Sequence, residues 1–398
     1  MRESAGVRRA LASWTSLRAA AVALYGAAAA RGRLGGGAGR GSVRRVVHVS
    51  PAFFGGGSIV GGGERYAVSL AQAMAGLVDT VFLSFGPERR SERHGELQVE
   101  IFPILELKDG VPFDPVSFSF LPMLRGFDVV HCHQYRTIVT NFAALAAAAL
   151  GKRVFVTDLG GTGRHFTHVL PVARTVTGFL PISEFGARVL PDGQQGTVIH
   201  GGVDDRFLAV PPAAGPKPPR VLFVGRLLPH KGIDDLVRAM EPGWELVVMG
   251  RPYSPEYFAL LQELAAGKSV RFVTDASDED LVRAYQEAAV TVLPSVYRDT
   301  YGVHHEIPEL LGLVLLESMA CGTPAICTDV GGMPEFVDEG VTGFVVPPNS
   351  PEALRDRIAY LLNDPMEAAA MGQRGRESVA RRFTWRAVAE RCLRAYGG

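Results

Sequence analysis

Two kinds of segment alternate along most of this chain. Short apolar runs rich in β-branched residues occur at residues 43–50, 80–85, 128–133, 153–157 and 179–183. Between them lie longer segments with apolar residues at helical spacing, of which residues 65–77 and 137–150 are the clearest. Strands that alternate with helices predict an α/β fold with a parallel sheet and helices on both of its faces.

The same alternation begins again after a proline-rich segment. Residues 211–219 read PPAAGPKPP and hold five prolines in nine positions, which prevents regular structure. New strands are predicted at residues 220–225, 245–250, 270–274, 290–295 and 324–328. We therefore predict two doubly wound, Rossmann-like domains, residues 43–210 and 220–380, joined by this linker. Ligands of such sheets bind outside the carboxyl ends of the strands, so a cleft between two facing domains is the expected site.

The segment ELLGLVLLESMACGTP, residues 309–324, is the most informative stretch of the chain. Its pattern predicts a turn at residues 310–312 followed by a buried helix at residues 313–320. Free backbone N–H groups at the start of this helix, near Gly312 and Leu313, would attract an anion such as a diphosphate.

Two carboxylates, Glu309 and Glu317, flank this helix start. Glu309 falls in the loop before the helix, and Glu317 falls about two turns along it. An ionised carboxylate accepts hydrogen bonds from neighbouring hydroxyl groups, so the segment suits a diphosphate with a polyol at each end, such as a nucleotide-sugar. The alternative is a pair of solvated carboxylates favoured by the helix dipole. Glu317 interrupts an apolar run, however, and a carboxylate there needs a partner.

Two cations follow the first strand of the second domain. Arg226 comes directly after Gly225, and Lys231 precedes Gly232. Arginine as a planar fork and lysine as a point charge can together neutralise a diphosphate leaving group. Ordinary surface cations of a loop between strand and helix are the alternative.

A glycine-dense loop in the N-terminal half, residues 55–64, enters a helix. It lacks the ending of a Walker loop, but glycine lets a backbone approach a ligand closely. The candidate contacts are Gly61, Gly62 and Gly63.

His131 and His133 end a buried strand on one face of it. They could begin a zinc site, yet no further pair of ligands lies at a suitable spacing, so we predict no metal.

These segments resemble the retaining glycosyltransferases of family 4, which have the GT-B fold. The resemblance rests on the E-x7-E segment and its continuation MACGTPAICTDVGGMPE, on GRLLPHKG, on the G-G-x-E glycines and on H-x-H after D-V-V. It covers about residues 45–396, and it implies that the last helix, within residues 381–398, crosses back onto the N-terminal domain.

The resemblance also implies the role of each residue. Glu309 would bind hydroxyl groups of the donor sugar, Glu317 would bind the ribose, and His133 would approach the sugar. The backbone amides that would bind the diphosphate and sugar are those of Leu310, Leu311, Gly312 and Leu313. The implied mechanism is a front-face displacement in which the leaving phosphate helps to deprotonate the acceptor, without a metal or a cofactor.

The chain departs from the family pattern at two places. His200 and Gly201 stand where proline and asparagine are usual, which puts any contact made by that asparagine in doubt. Residues 301–308, YGVHHEIP, replace a shorter lead-in to Glu309. The adjacent His304, His305 and Glu306 are contiguous and therefore splayed, so we expect a solvated loop rather than a metal cluster.

The first 42 residues hold seven arginines and a single acid. Leu11, Trp14, Leu17, Ala21 and Leu24 recur at helical spacing, which suits a helix lying on an anionic membrane. A secretory signal is a second interpretation. We favour a third, a flexible extension without a function.

The bulk composition narrows the class of protein. Lys plus Arg and Asp plus Glu number 41 each, so nothing indicates a nucleic-acid partner. Four cysteines without short spacings are expected to be reduced and buried, in a cytoplasmic protein. They are Cys132, Cys321, Cys327 and Cys392.

We therefore expect a hexosyltransferase that moves a sugar from a nucleotide-diphosphate donor to a hydroxyl group of a glycan, a lipid-linked acceptor or a small molecule. A nucleotide-sugar epimerase and a non-catalytic nucleotide-sugar-binding protein are the alternatives. A dinucleotide-dependent oxidoreductase is disfavoured, because no clean G-x-G-x-x-G with a following acid is present.

Overall fold

The computed structural model describes residues 13–34, 41–53, 62–107, 114–160, 170–190, 193–212, 215 and 217–397, except for the side chains of residues 52 and 53. The chain divides into two compact units, Met1–His200 with Trp385–Gly398, and Gly201–Thr384. Each unit contains a mainly parallel sheet. None of the helices found in the described ranges is both long and apolar enough to cross a bilayer.

The elements of regular structure follow the predicted alternation. The described strands are β1 (Arg45–Phe53), β2 (Asp79–Gly86), β3 (Arg90–His94), β4 (Leu97–Pro103), β5 (Glu106–Leu107), β6 (Pro115–Val116), β7 (Val129–His133), β8 (Arg153–Thr157), β9 (Gly178–Phe179), β10 (Arg220–Val224), β11 (Glu245–Met249), β12 (Val270–Val273), β13 (Val290–Leu293), β14 (Ala325–Thr328) and β15 (Gly343–Val346). The described helices are α1 (Trp14–Ala30), α2 (Gly62–Ala75), α3 (Ile138–Ala149), α4 (Glu184–Arg188), α5 (Asp205–Ala209), α6 (Ile233–Ala239), α7 (Pro255–Leu264), α8 (Asp278–Glu287), α9 (Leu313–Ala320), α10 (Pro351–Asn363), α11 (Pro365–Arg382) and α12 (Trp385–Gly397).

The two sheets have the doubly wound order that was predicted. In the first unit the described strands run β3-β4-β2-β1-β7-β8-β9, and only β3 is antiparallel to its neighbour. In the second they run β12-β11-β10-β13-β14-β15, all parallel. The winding reverses between β1 and β7 in one sheet and between β10 and β13 in the other. Ligands of such sheets bind at these switch points.

Two edge strands, β3 and β15, were not predicted. The antiparallel strand β3 reads RSERH and lies half-exposed at the sheet edge, so no apolar alternation marks it. Strand β15 reads GFVV, an apolar run as short as the predicted strands β12, β13 and β14. A polar edge strand such as β3 escapes a search for apolar runs.

The N-terminal segment is not a flexible extension over residues 14–30. These residues form α1, which packs against α3 and contributes Leu17 and Ala21 to the core of the first unit. Trp14 and Leu24 pack against the same core. The apolar face that suggested a membrane-bound helix is therefore covered by protein, and the remaining residue of that stripe, Leu11, lies outside the described residues.

Helix α12 belongs to the first unit although it ends the chain. It packs against α2, where the rings of Tyr66 and Trp385 meet edge to face with centroids 4.9 Å apart. Its Tyr396 carbonyl accepts a hydrogen bond of 2.8 Å from the guanidinium group of Arg153. The last helix is thus part of the core of the N-terminal unit.

One predicted boundary needs correction. Residues 201–210 were assigned to the N-terminal domain, but they belong to the second unit. Their helix α5 places the ring of Phe207 against that of Tyr285, with centroids 5.9 Å apart. The four cysteines are free and buried, as predicted.

Candidate functional site

The ammonium group of Lys231 contacts the carboxylate of Glu309. Both side chains are mostly buried, with exposed fractions of 10% and 17%. Lys231 ends a 3-10 turn after β10, and Glu309 lies in the loop between β13 and α9. Because β10 and β13 are the strands between which the winding reverses, two charges from separate motifs meet at the switch point of the second sheet.

Two glycines hold the backbone on each side of this ion pair. Gly232 has φ of 63°, and a Cβ atom there would lie 2.1 Å from the carbonyl oxygen of Pro294. Gly331 has φ of 61°, and a Cβ atom there would lie 1.8 Å from the carbonyl oxygen of Glu309. Glycine alone adopts this backbone without strain and leaves room for such close approach. The two loops are thereby drawn against neighbouring backbone.

Helix α9 begins at Leu313, as predicted, and Gly312 precedes it with φ of 85°. No side chain caps the helix, and its first turn contains no acidic residue. Leu311 and Gly312 are buried, whereas Leu310 and Leu313 are half-buried. A helix start without a side-chain cap and with its positive dipole end can accept an anion.

Glu317 has a partner inside the second unit. Its Oε2 accepts a hydrogen bond of 2.8 Å from the hydroxyl group of Tyr285, which is fully buried on α8. The positive charge of Arg206 also interacts with Glu317. The partner that a carboxylate in an apolar helix requires is therefore a tyrosine, and its hydrogen bond fixes one carboxylate oxygen.

Gly225 and Arg226 follow β10 directly. The N–H group of Gly225 donates to the carbonyl oxygen of Met249 at 3.0 Å, so this glycine continues the sheet. The Arg226 side chain is exposed and, within the part of the chain that the structure describes, forms no ion pair. The structure thus brings Lys231 and Glu309 together but does not place Arg226 in contact with either carboxylate.

The lead-in loop to Glu309 is exposed at residues 301–304, 306 and 307, as expected, but His305 is partly buried and hydrogen-bonded. The Nε2 atom of His305 lies 2.8 Å from Oδ2 of Asp299, whose other oxygen accepts hydrogen bonds from the backbone of Tyr301 and Val303 at 2.9 and 3.0 Å. These bonds to the imidazole and the two N–H groups outweigh the cost of burial and lower the pKa of Asp299. The expectation of a splayed, solvated loop is therefore wrong for His305, although His304 is exposed.

His230 lies beside this loop. Its ring centroid is 5.1 Å from that of His305. Burial, followed by the neighbouring charge of Lys231, lowers the pKa of His230 to about 3. The imidazole is therefore neutral near pH 7, next to the charged pair.

In the first unit, Gly62 and Gly63 are the first residues of α2. Within the described ranges, a Cβ atom at Gly62 would meet nothing within 4 Å. Gly61 lies outside the described residues.

His133 is fully buried at the end of β7. Its Nε2 atom lies 2.9 Å from Nδ1 of His48, a residue of β1 that the motifs did not indicate. His131 makes two other hydrogen bonds, from Nε2 to the Thr157 hydroxyl at 2.8 Å and from Nδ1 to the Tyr396 hydroxyl at 2.7 Å. The predicted contact of His133 with a sugar stays a prediction.

The three imidazoles could also be considered as metal ligands. One nitrogen from each of His48, His131 and His133 lies within 4.8 Å of the others. The spacing argument overlooked His48, because it comes from a strand 83 residues earlier in the chain. Since both nitrogens of His131 are hydrogen-bonded and His48 is bonded directly to His133, the cluster is arranged as a hydrogen-bond network.

Sequence reasoning missed several supporting residues. Only tertiary packing brings Tyr285 to Glu317 and His48 to His133. Gly331 could have been found from the sequence, because it is the first of two adjacent glycines after a strand, where a glycine often marks close backbone approach.

Comparison with known proteins shows which family has similar sequences. The family model described as "Glycosyltransferase Family 4" matches residues 60–207, and the model described as "Glycosyl transferases group 1" matches residues 206–378. The D-inositol 3-phosphate glycosyltransferase of Corynebacterium glutamicum is 34% identical over 189 residues. This match covers 44% of the present chain and 42% of the relative, so the chain spans less than half the length of that relative.

Solved structures show the same fold at low identity. Sucrose-phosphate synthase from Thermosynechococcus elongatus superimposes with a TM-score of 0.67 at 22% identity, over 89% of this chain and 98% of that one. Anabaena HepE in complex with UDP-glucose gives a TM-score of 0.67 at 16% identity, over 88% and 98%. The fold is therefore of the GT-B type. Because the two family models match consecutive stretches that together include the Lys231–Glu309 site, the chain belongs to the family 4 glycosyltransferases, of the glycosyl transferases group 1.

Proposed function

We propose that this protein is a retaining glycosyltransferase that moves a hexosyl group from a nucleotide-diphosphate-sugar to a hydroxyl acceptor. The observation that supports it best is the contact of Lys231 with Glu309 beside the start of α9. A cation, a hydroxyl-binding carboxylate and a row of free N–H groups together suit a sugar joined to a diphosphate.

The leaving group would be stabilised by the cations of the second unit. Lys231 is held against β13 by Gly232, and the exposed Arg226 follows the same strand β10. Negative charge grows on the diphosphate as the glycosidic bond breaks, and preorganised cations and amides act most strongly on such developing charge. The amides of Leu310, Leu311, Gly312 and Leu313 would share this role.

The two carboxylates would fix the ends of the donor. Glu309 would exchange its contact with Lys231 for hydroxyl groups of the sugar, while Lys231 turns to the diphosphate. Glu317, oriented by Tyr285, would bind the ribose hydroxyl groups. Gly61, Gly62, Gly63 and Gly225 would add backbone contacts with the donor.

The retaining outcome rests on the family resemblance. In a front-face displacement, the acceptor oxygen forms the new bond on the face that the leaving phosphate vacates. The acceptor proton passes to that phosphate. Within this proposal no cofactor takes part, the nucleotide-sugar is a substrate, and the protein works in the cytoplasm, where its donor is made.

The sugar, base and acceptor are open to direct test. HepE, a neighbour in fold, is seen with UDP-glucose, so UDP-sugars are the first donors to try. Saturation-transfer NMR against a panel of nucleotide-sugars should show contact for at least one donor, at its sugar, ribose and base protons. Transfer to an added hydroxyl acceptor should then release the nucleoside diphosphate in step with a new α- or β-linkage that keeps the donor's anomeric configuration.

The variant Lys231→Met tests the site itself. We expect it to lower turnover about 100-fold or more, because it removes a charge that meets the leaving group. Arg283→Met, which removes a 65%-exposed cation of α8, is the matched control and should leave turnover unchanged. Binding without transfer to any acceptor, or full activity of Lys231→Met, would refute the proposal.

A further inference from the structure

His48 and His133 form a hydrogen-bonded pair of imidazoles at the switch point of the first sheet. Their ring centroids are 5.2 Å apart, their planes differ by 17°, and the Nδ1 of His48 is 2.9 Å from the Nε2 of His133. With nitrogens so close, this centroid distance means that the rings lie edge to edge near one plane rather than face to face. One N–H group therefore points directly at the other ring's lone pair.

Both outer nitrogens of this pair are without a partner. Among the described residues, Nδ1 of His133 and Nε2 of His48 are buried and form no hydrogen bond. A buried polar atom that is left unpaired is unfavourable, and it calls for an explanation such as a missing ligand. The nearby His131 differs, because Thr157 and Tyr396 satisfy both of its nitrogens.

The backbone around His133 is fixed. Its carbonyl oxygen accepts a hydrogen bond of 2.8 Å from the hydroxyl group of Thr140. Gln134 follows with φ of 62°, which is uncommon for a residue other than glycine, and its N–H group donates to Thr157 at 2.9 Å. The strand thus ends abruptly after His133, at the edge of the sheet where ligands bind.

The pair has two neutral states with the same number of protons, which differ in the tautomer of both rings. Burial lowers the pKa of His48 to about 3 and the pKa of His133 well below its usual value, so neither ring is charged near pH 7. If His133 donates through Nε2, its Nδ1 is an acceptor and His48 carries its proton on Nε2. If His48 donates through Nδ1, the Nδ1 of His133 is a donor. The state of one ring therefore decides what the other offers.

We propose that His48 is a positioning residue that sets the tautomer of His133, so that the Nδ1 of His133 meets a hydroxyl group of a bound sugar. This inference rests on the proposed function for the identity of the ligand. The coupling of the two rings is independent of that function. The partner would be a hydroxyl group of the carbohydrate substrate, and the tautomer that His48 sets decides whether this hydroxyl donates to the Nδ1 of His133 or accepts from it.

Histidine-selective 15N labelling tests the coupling in the full chain without any ligand. Long-range proton–nitrogen correlations distinguish the two neutral tautomers. We expect one tautomer of His133 in the wild type and a changed or mixed population in His48→Phe. His48→Asn, whose amide can occupy the place of Nδ1, should restore a single state. Tyr396→Phe should shift only His131, because it removes a bond from the same cluster that does not involve His133.

Kinetics test the consequence for the ligand. His48→Phe should lower kcat/KM for the donor about five- to tenfold, the effect of one lost hydrogen bond, and His48→Asn should recover most of it. Tyr396→Phe should leave kcat/KM unchanged after correction for any loss of folded protein.

Three results would overturn the inference: unchanged His133 signals in His48→Phe, a stoichiometric zinc ion in the purified protein that shifts all three imidazoles, or full activity of His48→Phe in a protein that transfers sugar. If the wild type transfers no sugar, the proposed function fails while the spectra still decide whether His48 controls His133. If transfer is normal but His48→Phe is as active as the wild type, only the inference fails.

Discussion

Lys231 and Glu309 contact each other through their charged groups although 78 positions separate them in the chain. Both are largely withdrawn from solvent, so each charge depends on the other in the absence of a ligand. Removing one partner leaves an uncompensated charge in a mostly buried place, whereas removing both does not. The pair should therefore behave as one unit in stability as well as in binding.

A double-mutant cycle measures this dependence. Lys231→Met and Glu309→Gln should each destabilise the protein. The loss of stability in the double variant should be smaller than the sum of the two single losses by about 1–3 kcal/mol. Urea unfolding of the four proteins gives the coupling energy. Additive effects would show that the two groups do not interact in solution.

Tyr285 offers a test of the ribose end. Tyr285→Phe removes the hydroxyl group that donates to Glu317 while keeping the buried ring. We expect KM for the donor to rise about five- to tenfold with little change in kcat, because the ribose lies far from the reacting bond and contributes equally before and during transfer. Tyr360→Phe, a 48%-exposed tyrosine of the same unit, is the control. A fall in kcat with unchanged KM would argue against a ribose contact at Glu317.

Gly331 allows the backbone contact at Glu309 to be tested separately from charge. A Cβ atom there would lie 1.8 Å from the Glu309 carbonyl oxygen, so Gly331→Ala must displace the loop and should cost about 2 kcal/mol or more, with loss of transfer. Gly340→Ala isolates backbone strain, because Gly340 has φ of 70° with nothing within 4 Å of a Cβ atom. That control should cost about 1 kcal/mol and keep activity. Equal effects of both variants on transfer would contradict the role given to Gly331.

The buried histidines predict how stability depends on pH. The pKa of His48 is lowered from 6.5 to about 3 by burial, so between these values the unfolded chain binds a proton that the folded chain does not. The stability that the neutral ring provides is fully present above 6.5 and is lost as pH falls towards 3. His131 and His133, whose pKa values are also lowered, act in the same direction.

Urea unfolding at about pH 7, 6 and 5 checks this sign. The free energy of unfolding should decrease as the pH is lowered from 7 to 5. The slope of this free energy against pH should be smaller in His48→Phe, because one titrating group is gone. Phe155→Leu, a change at a buried neighbour of Tyr396 that does not titrate, should lower stability without changing the slope. An unchanged slope in His48→Phe would mean that His48 is accessible to protons in the folded protein.

The sequence pattern predicts the central strands and helices of this protein well. It predicts poorly the side-chain contacts between residues that are distant in the chain. The central strands and helix α9 are local features, since apolar periodicity and a glycine before the helix are enough to indicate them. Tyr285 and His48 act through neighbours that are 32 and 85 positions away, and no local pattern encodes such pairs. His305 was misjudged for the same reason, because Asp299 turns a polar stretch into a folded loop.

The apolar stripe of α1 shows how one pattern can have two explanations. A helix with Trp14, Leu17, Ala21 and Leu24 on one face can lie on lipid or on protein, and periodicity does not distinguish these surroundings. In the structure Leu17 is fully buried against the first unit, whereas Val22 on the same helix is 52% exposed.

Leu17→Asp and Val22→Asp therefore separate the two explanations. Leu17→Asp should destabilise the protein by about 3 kcal/mol, since it buries a carboxylate without a partner, and Val22→Asp should change stability by less than about 0.5 kcal/mol. Thermal and urea unfolding of both variants give the comparison. If the stripe instead lies on a membrane, Leu17→Asp would leave the stability in solution unchanged and abolish flotation with anionic vesicles. That result would mean that α1 leaves α3 in solution, and the packing of this helix would have to be revised.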